Sequence, residues 1–245
     1  MTDTLVINEI FLSLQGESTL AGLPCVFVRL TGCNLRCSYC DTAYAFGEGR
    51  KRTIAEVLAE VQSLATAFVG NSAGKQRLPL VELTGGEPLL QPNALPLLRL
   101  LCDAGFTVLL ETSGALDISQ VDPRVRRIMD LKCPSSGECE RNHWENLPYL
   151  QTTDEVKFVI STQEDYEWAK EVIGQHALAN RCPVLFSWAA PLSPDQQDKS
   201  LKQVPAGKHS INRQQLAEQI LADHLPVRFQ LQMHKFIWPP EQRGV

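Results

Sequence analysis

The chain has no basic run longer than three residues. Its 23 Lys and Arg stand against 28 Asp and Glu, for a formal charge of −5. A nucleic-acid partner needs a clustered positive face, so none is expected. No apolar stretch approaches the ~20 residues that cross a bilayer, so no membrane partner is expected either. The opening residues, MTDTLVINEIF, carry neither the basic region nor the long apolar run of a secretory signal. A cytoplasmic location follows as the expectation. No repeat, low-complexity tract or Pro/Ser-rich linker interrupts the 245 residues, and that length suits a single domain over 1–245. The 44 % apolar and 21 % charged composition is that of an ordinary soluble protein. In a reducing compartment, its eight cysteines point to metal or redox chemistry rather than to a disulfide framework.

Seven apolar runs recur between turn residues: PCVFVRL (24–30), LPLVEL (78–83), FTVLLE (106–111), RRIMDL (126–131), EVKFVI (155–160), PVLFSW (183–188) and PVRFQL (226–231). Continuous apolarity of this kind suits strands buried on both faces, as in a parallel sheet. Helical periodicity separates several of them, over 53–68, 93–104, 165–174 and 212–223, with Thr53 and Glu56 forming a capping box. It is weak over 112–123 and 133–153. Strand–helix alternation with two helices missing predicts an α/β fold, a partial TIM-like barrel of about six or seven mainly parallel strands with a reduced set of helices. The polar oddities fall just after the strands, where parallel α/β folds place their ligands.

One such loop reads GCNLRCSYCDT, with Cys33, Cys37 and Cys40 at C-x3-C-x2-C spacing. A closed structural zinc site uses four protein ligands. Three thiolates and an open position describe either catalytic zinc or an iron–sulfur cubane with one iron left for another ligand. A fourth thiolate from Cys25 or Cys133, or a chance cluster of thiols, stands as an alternative. Cys25, Cys102 and Cys182 otherwise read as small buried hydrophobes, while Cys133 and Cys139 are candidates for a second metal site. A second loop reads TGGEP. Gly85 and Gly86 lack side chains, so a ligand could approach the backbone there, and their carbonyls and the Glu87 carboxylate could accept from an ammonium group.

The cysteine loop after the first barrel strand, with a GGE motif after the second, resembles the radical S-adenosylmethionine (SAM) superfamily. LQGE, CDT, TGGEP, ETSG and QMHK occur in the order found in its 7-carboxy-7-deazaguanine synthase family, a resemblance running over 7–239. It implies a 4Fe-4S cluster on Cys33, Cys37 and Cys40, within a loop spanning 32–52, with SAM on the open iron. It implies SAM contacts from Gly86, Glu87, Ser113 and Lys132, and Mg2+ on Thr42, with Asp41 as a neighbour rather than a ligand. Substrate contacts would come from Leu14, Gln15, Gly16 and Glu17, from Arg29 through its bidentate fork, and from Thr84. No residue is assigned a catalytic role of its own. The implied reaction converts 6-carboxy-5,6,7,8-tetrahydropterin to 7-carboxy-7-deazaguanine with loss of ammonia, a lyase step of queuosine and 7-deazapurine biosynthesis. A reducing electron-transfer protein and a homodimer are the implied partners. Asp130-Leu131-Lys132 stands where some members carry Ser-Pro-Lys, and Ser187-Trp188 where some carry Gln-Pro. Segment 191–211 is polar and reads as a flexible insertion or lid, and Gln232, His234 and Lys235 are candidates for the substrate end. The rival readings are a glycyl-radical activase, against which the lack of additional C-x2-C pairs counts, and a non-enzymatic iron–sulfur module.

Overall fold

All seven apolar runs fold as strands, and their neighbours in space follow their order in the chain. The structure, a computed structural model, describes residues 3–239 and 242–245; positions 1–2 and 240–241 of the expected 1–245 domain lie outside the described residues. Strands β1 (Thr4–Leu14), β2 (Pro24–Leu30) and β3 (Arg50–Thr53) precede helix α1 (Ile54–Ala65). A short hairpin, β4 (Ser72–Ala73) and β5 (Gln76–Arg77), leads into β6 (Leu80–Gly85), helix α2 (Ala94–Asp103), β7 (Val108–Thr112) and β8 (Arg126–Asp130). Then come β9 (Glu155–Ile160), α3 (Gln163–His176), β10 (Val184–Trp188), α4 (Arg213–Ala222), β11 (Arg228–Gln230) and α5 (His234–Ile237). One sheet runs β11-β10-β9-β8-β7-β6-β2-β1-β3. From β2 to β11 every pairing is parallel, while β1 pairs antiparallel with β2 and β3. The barrel is therefore incomplete, with seven parallel strands and an antiparallel edge.

Helices stand where the periodicity places them. Thr53 Oγ1 accepts from Glu56 N, and Glu56 returns a bond to the Thr53 N–H, so the capping box opens α1. Between β7 and β8 the described chain forms no α-helix, only turns and bends, and between β8 and β9 only three short 3-10 segments. Strand β1 was not among the expected strands. It is mostly half-buried and flanks the barrel, and Asn8, Glu9 and Ser13 break its apolar residues into short pieces.

Successive strand residues face opposite ways, and here the two faces differ in chemistry. Val26, Val28, Val81, Leu83, Leu110, Val156 and Phe158 point outward, into a cluster with Val57 and Val61 of α1, Leu97 and Leu101 of α2 and Tyr166 of α3. The inward residues at the amino ends, Cys25, Leu80, Leu109 and Ile128, form a second, smaller cluster that plugs the barrel floor. Farther along each strand the inward positions turn polar: Arg29, Glu82, Thr84, Glu111, Asp130 and Lys157. The expectation of strands apolar on both faces holds only for their amino-terminal halves.

Candidate active site

Above the apolar floor, at the carboxyl ends of the strands, lies a cavity of about 570 Å³. The cysteine loop, the TGGEP loop, the segment after β7, the end of β8 and the carboxyl-terminal tail all reach it. Cys33, Cys37 and Cys40 line it as free thiols. Burial pushes the Cys37 thiol up to about 11 and Cys40 up to about 12, because an anion there has lost its water. The loop backbone is held from behind by the segment after β8. Ser38 N donates to Ser136 O at 3.1 Å, Ser38 Oγ to Ser135 O at 2.7 Å, and Arg36 N to Glu138 Oε1 at 2.7 Å. Segment 191–211 joins this contact: Lys202 N donates to Arg36 O at 2.9 Å, and its Nζ pairs with Glu138 at 2.9 Å.

The TGGEP glycines line the cavity and also make room for the neighbouring loop. A Cβ on Gly86 would strike the Gly32 carbonyl oxygen and come within 2.9 Å of Cys33 Cβ, and one on Gly85 would meet the Leu30 backbone. Both loops instead pack backbone against backbone, with Glu87 N donating to Gly32 O at 2.8 Å. Glu87 itself is 0 % exposed and lies behind the cavity wall. Its carboxylate accepts from Thr112 Oγ1 at 3.0 Å, Ser113 N at 2.6 Å and Leu89 N at 2.9 Å. It thus fixes the end of β7 against the TGGEP loop, where a direct contact to an ammonium group was expected. Gly86, Ser113 and Lys132 do line the cavity. Lys132 Nζ pairs with Asp130 Oδ2 at 2.7 Å, and the other oxygen, Asp130 Oδ1, is buried without a hydrogen-bond partner among the described residues.

Leu14, Gln15, Gly16, Glu17, Arg29, Thr42 and Thr84 also converge on the cavity. Arg29 Nε pairs with Glu9 at 2.7 Å, and Tyr44 Oη donates to the same carboxylate oxygen. Among the described residues this is the only hydrogen bond of the guanidinium, so its terminal nitrogens remain available. Thr42 Oγ1 donates to Asp41 Oδ1 at 2.9 Å, which leaves the lone pairs of the hydroxyl oxygen free. Asp41 is claimed by the tail: Lys235 Nζ lies 2.6 Å from Oδ2, and Gln232 Nε2 donates to it at 3.0 Å. Burial opposes the Asp41 charge, but Lys235 outweighs it and holds the carboxyl below its ordinary range. Gln232, His234 and Lys235 all line the cavity, and His234 packs against Gly16, where a Cβ would lie 2.8 Å from its Nδ1.

Three charged residues went unrecognised in the sequence: Glu82, Glu111 and Lys157. Lys157 Nζ bonds Glu111 Oε1 and lies 3.2 Å from Glu17 Oε2, while Thr84 Oγ1 donates to Glu111 Oε2 at 2.9 Å. Burial works against the ammonium of Lys157, yet Glu111 and Glu17 outweigh it and hold its pKa well above that of an ordinary lysine. The signal was present: VFVRL, VELT, VLLET and VKFVI each place one charge inside an otherwise apolar strand. A charge there must face a polar interior.

The donor set fits an iron–sulfur cluster with SAM. It offers three disulfide-free thiols on one loop, backbone groups of the packed glycine loop beside them, and an orphaned carboxylate oxygen at Asp130. Among the described residues no three His, Cys, Asp or Glu side chains meet at one point as around a single ion; thiolates on separate corners of a cubane need not do so. Neither proposed fourth thiolate reaches the cavity, since Cys25 sits in the barrel floor and Cys133 in the helix-side core. Cys133 and Cys139 form no metal site with a third such ligand among the described residues. For Mg2+, the Thr42 hydroxyl fits as one oxygen ligand of an ion that keeps several waters.

Comparison with known proteins places this geometry. The radical SAM superfamily profile matches residues 27–135. The chain is 46 % identical over 242 residues to a 7-carboxy-7-deazaguanine synthase of Koribacter versatilis, covering 98 % of this chain and 99 % of that one. It is 42 % identical over 244 residues to the synthase of the same name from Chlorobaculum tepidum, covering 98 % and 97 %. In fold it is similar to QueE from Escherichia coli, with a TM-score of 0.68 at 21 % identity over 94 % of this chain and 95 % of that one. It is also similar to Streptococcus suis SuiB bound to S-adenosylmethionine, with a TM-score of 0.57 at 13 % identity over 82 % and 48 %.

Proposed function

The chain belongs to the 7-carboxy-7-deazaguanine synthase family of radical SAM enzymes, and from that membership we propose that it converts 6-carboxy-5,6,7,8-tetrahydropterin to 7-carboxy-7-deazaguanine with release of ammonia. One observation carries the reading to this cavity: three free thiols, the glycine loop and a wall of buried acids and bases open into the same space. Cys33, Cys37 and Cys40 would hold a 4Fe-4S cluster, and Gly86, Ser113, Lys132 and Asp130 would hold SAM. SuiB, a protein of similar fold, has been solved with S-adenosylmethionine bound, which supports a SAM site in a fold of this kind. When bound and reduced, the pair supplies a carbon-centred radical able to take hydrogen from an unactivated carbon.

The rest is work for the protein's own groups. The terminal nitrogens of Arg29 would pair with the substrate carboxylate, which with Thr42 would share a Mg2+ ion. Leu14, Gln15, Gly16, Glu17 and Thr84 would fix the ring through backbone and side-chain hydrogen bonds. The tail residues Gln232 and Lys235 hold Asp41, and so orient Thr42. Strands, tail and segment 191–211 all contribute to the wall around the reacting carbon. Cys33 and Cys40 are partly exposed, which suits an electron delivered by a reducing protein. The family resemblance extends the proposal to a homodimer.

The test is an anaerobic assay of cluster-reconstituted protein with SAM, reductant, Mg2+ and the carboxytetrahydropterin, followed by mass spectrometry. Product that vanishes in a Cys37→Ala control is expected. No product from enzyme with an intact cluster would overturn the substrate assignment.

A further inference from the structure

Glu82 has no role in the reading so far. It sits mid-strand in β6, is 2 % exposed, and lines the inner end of the cavity. Its Oε2 accepts from the Gln15 side-chain amide, and among the described residues no cation lies within ion-pair distance of it. The charged groups facing it are Arg29 on β2, Glu111 on β7, Lys157 on β9 and Glu17 after β1. Arg29 pairs through Nε with Glu9, and among the described residues none of its nitrogens reaches Glu82, while Lys157 is divided between Glu17 and Glu111. Those two carboxylates and one ammonium already leave an excess negative charge. An ionised Glu82 would add a second in a place almost closed to water. Burying an unpaired carboxylate costs several kcal/mol, and protonation avoids that cost. Burial first, and Glu111 second, push the Glu82 pKa well above the carboxylate range.

We propose that Glu82 is a neutral carboxylic acid in the working enzyme, presenting the substrate with an O–H donor beside a carbonyl acceptor. Gln15 sets the orientation. Its Nε2 donates to Glu82 and its Oε1 accepts from Glu17 N at 2.8 Å, so the amide cannot turn. With Oε2 accepting, the proton belongs on Oε1. An ionised carboxylate offers acceptors only and selects two adjacent N–H donors. The acid instead matches a ring nitrogen acceptor next to an exocyclic amine, the edge of a 2-aminopyrimidine-fused heterocycle. This matching rests on the pterin reading of the cavity; the protonation does not.

The test has two arms. Infrared difference spectra of cluster-loaded enzyme at pH 7, wild type against Glu82→Gln and without substrate, should show a protonated-carboxyl band that shifts in 2H2O and is absent from the variant. Its absence from wild type overturns the protonation. In the second arm, Glu82→Leu should raise KM by about 10- to 100-fold, while Glu82→Gln, which keeps one donor and one acceptor, should restore most of that loss. Equal impairment of the two, or none in Glu82→Leu, overturns the recognition role. Should Glu82→Leu fail to fold, a pterin analogue lacking the 2-amino group takes its place, with a comparable loss expected against wild type. Failure of the enzyme to form any deazaguanine would sink the proposed function and leave the infrared arm readable.

Discussion

Replacing Lys157 with methionine removes the cation between Glu17 and Glu111 while keeping most of its volume. Breaking a buried ion pair from one side costs about 3–5 kcal/mol, because the remaining charge is stranded. The Glu111 side chain is 30 % exposed to the cavity and Glu17 16 %, so water recovers part of that, and about 2–3 kcal/mol is expected. For a chain of this length that is a fall in melting temperature of about 4–12 °C. Adding Glu111→Gln removes one of the stranded charges, so the double variant should regain at least about 1 kcal/mol. The pH dependence follows from the signs of the shifts. Lys157 is raised in the fold, so its contribution is complete below the unfolded value near 10.4 and fades only as pH climbs through the higher folded value. For Glu111, burial opposes ionisation but Lys157 outweighs it and lowers the pKa, so its contribution is complete above about 4.3 and fades only in acid. The difference between wild type and Lys157→Met should therefore hold up to about pH 9.5 and narrow toward acid, where Glu111, left with burial and no cation beside it, is free to take up a proton. Denaturant titration of anaerobically purified protein across that range provides the measurement. A loss under about 1 kcal/mol at pH 9, or one that grows toward acid, would refute the reasoning.

Gly86→Ala places a methyl group against the Gly32 carbonyl and Cys33, so the variant should fold but take up far less iron and sulfide on anaerobic reconstitution. Full loading would mean that the two loops have room to part. Cys25→Ala and Cys133→Ala should load as wild type does, since neither thiol reaches the cavity; a drop in iron content in either would reinstate a fourth thiolate. Glu87→Gln puts an amide where Thr112, Ser113 and Leu89 all donate. It should lower stability by about 1–3 kcal/mol and weaken SAM binding in equilibrium dialysis, and wild-type values for both would remove Glu87 from the framework of the site.

Much of the fold could be read locally. Strand and helix positions follow from apolar runs, periodicity and the Thr53 capping box, all of which act within a few residues. Strand β1, next to the antiparallel edge, escaped because Asn8, Glu9 and Ser13 break its apolar residues into pieces too short to announce a buried run. Of the site, the cysteine spacing and the TGGEP motif are legible because metal and backbone chemistry demand particular residues at fixed short intervals.

What the sequence by itself determined is therefore the order of elements, the parallel class of the sheet and the three thiols on one loop. Only the tertiary structure decided which side chains meet. Glu82, Glu111 and Lys157 stand up to 75 residues apart, and Lys235 reaches Asp41 across nearly the whole chain. Strand curvature and register bring them together, so the charge balance of the cavity is a property of the curved sheet as a whole. The same holds for the glycines of TGGEP. Their need for a missing side chain is visible in the sequence, but whether that space serves a ligand or another loop depends on what the fold packs against it, and here it is the backbone of Leu30 and Gly32.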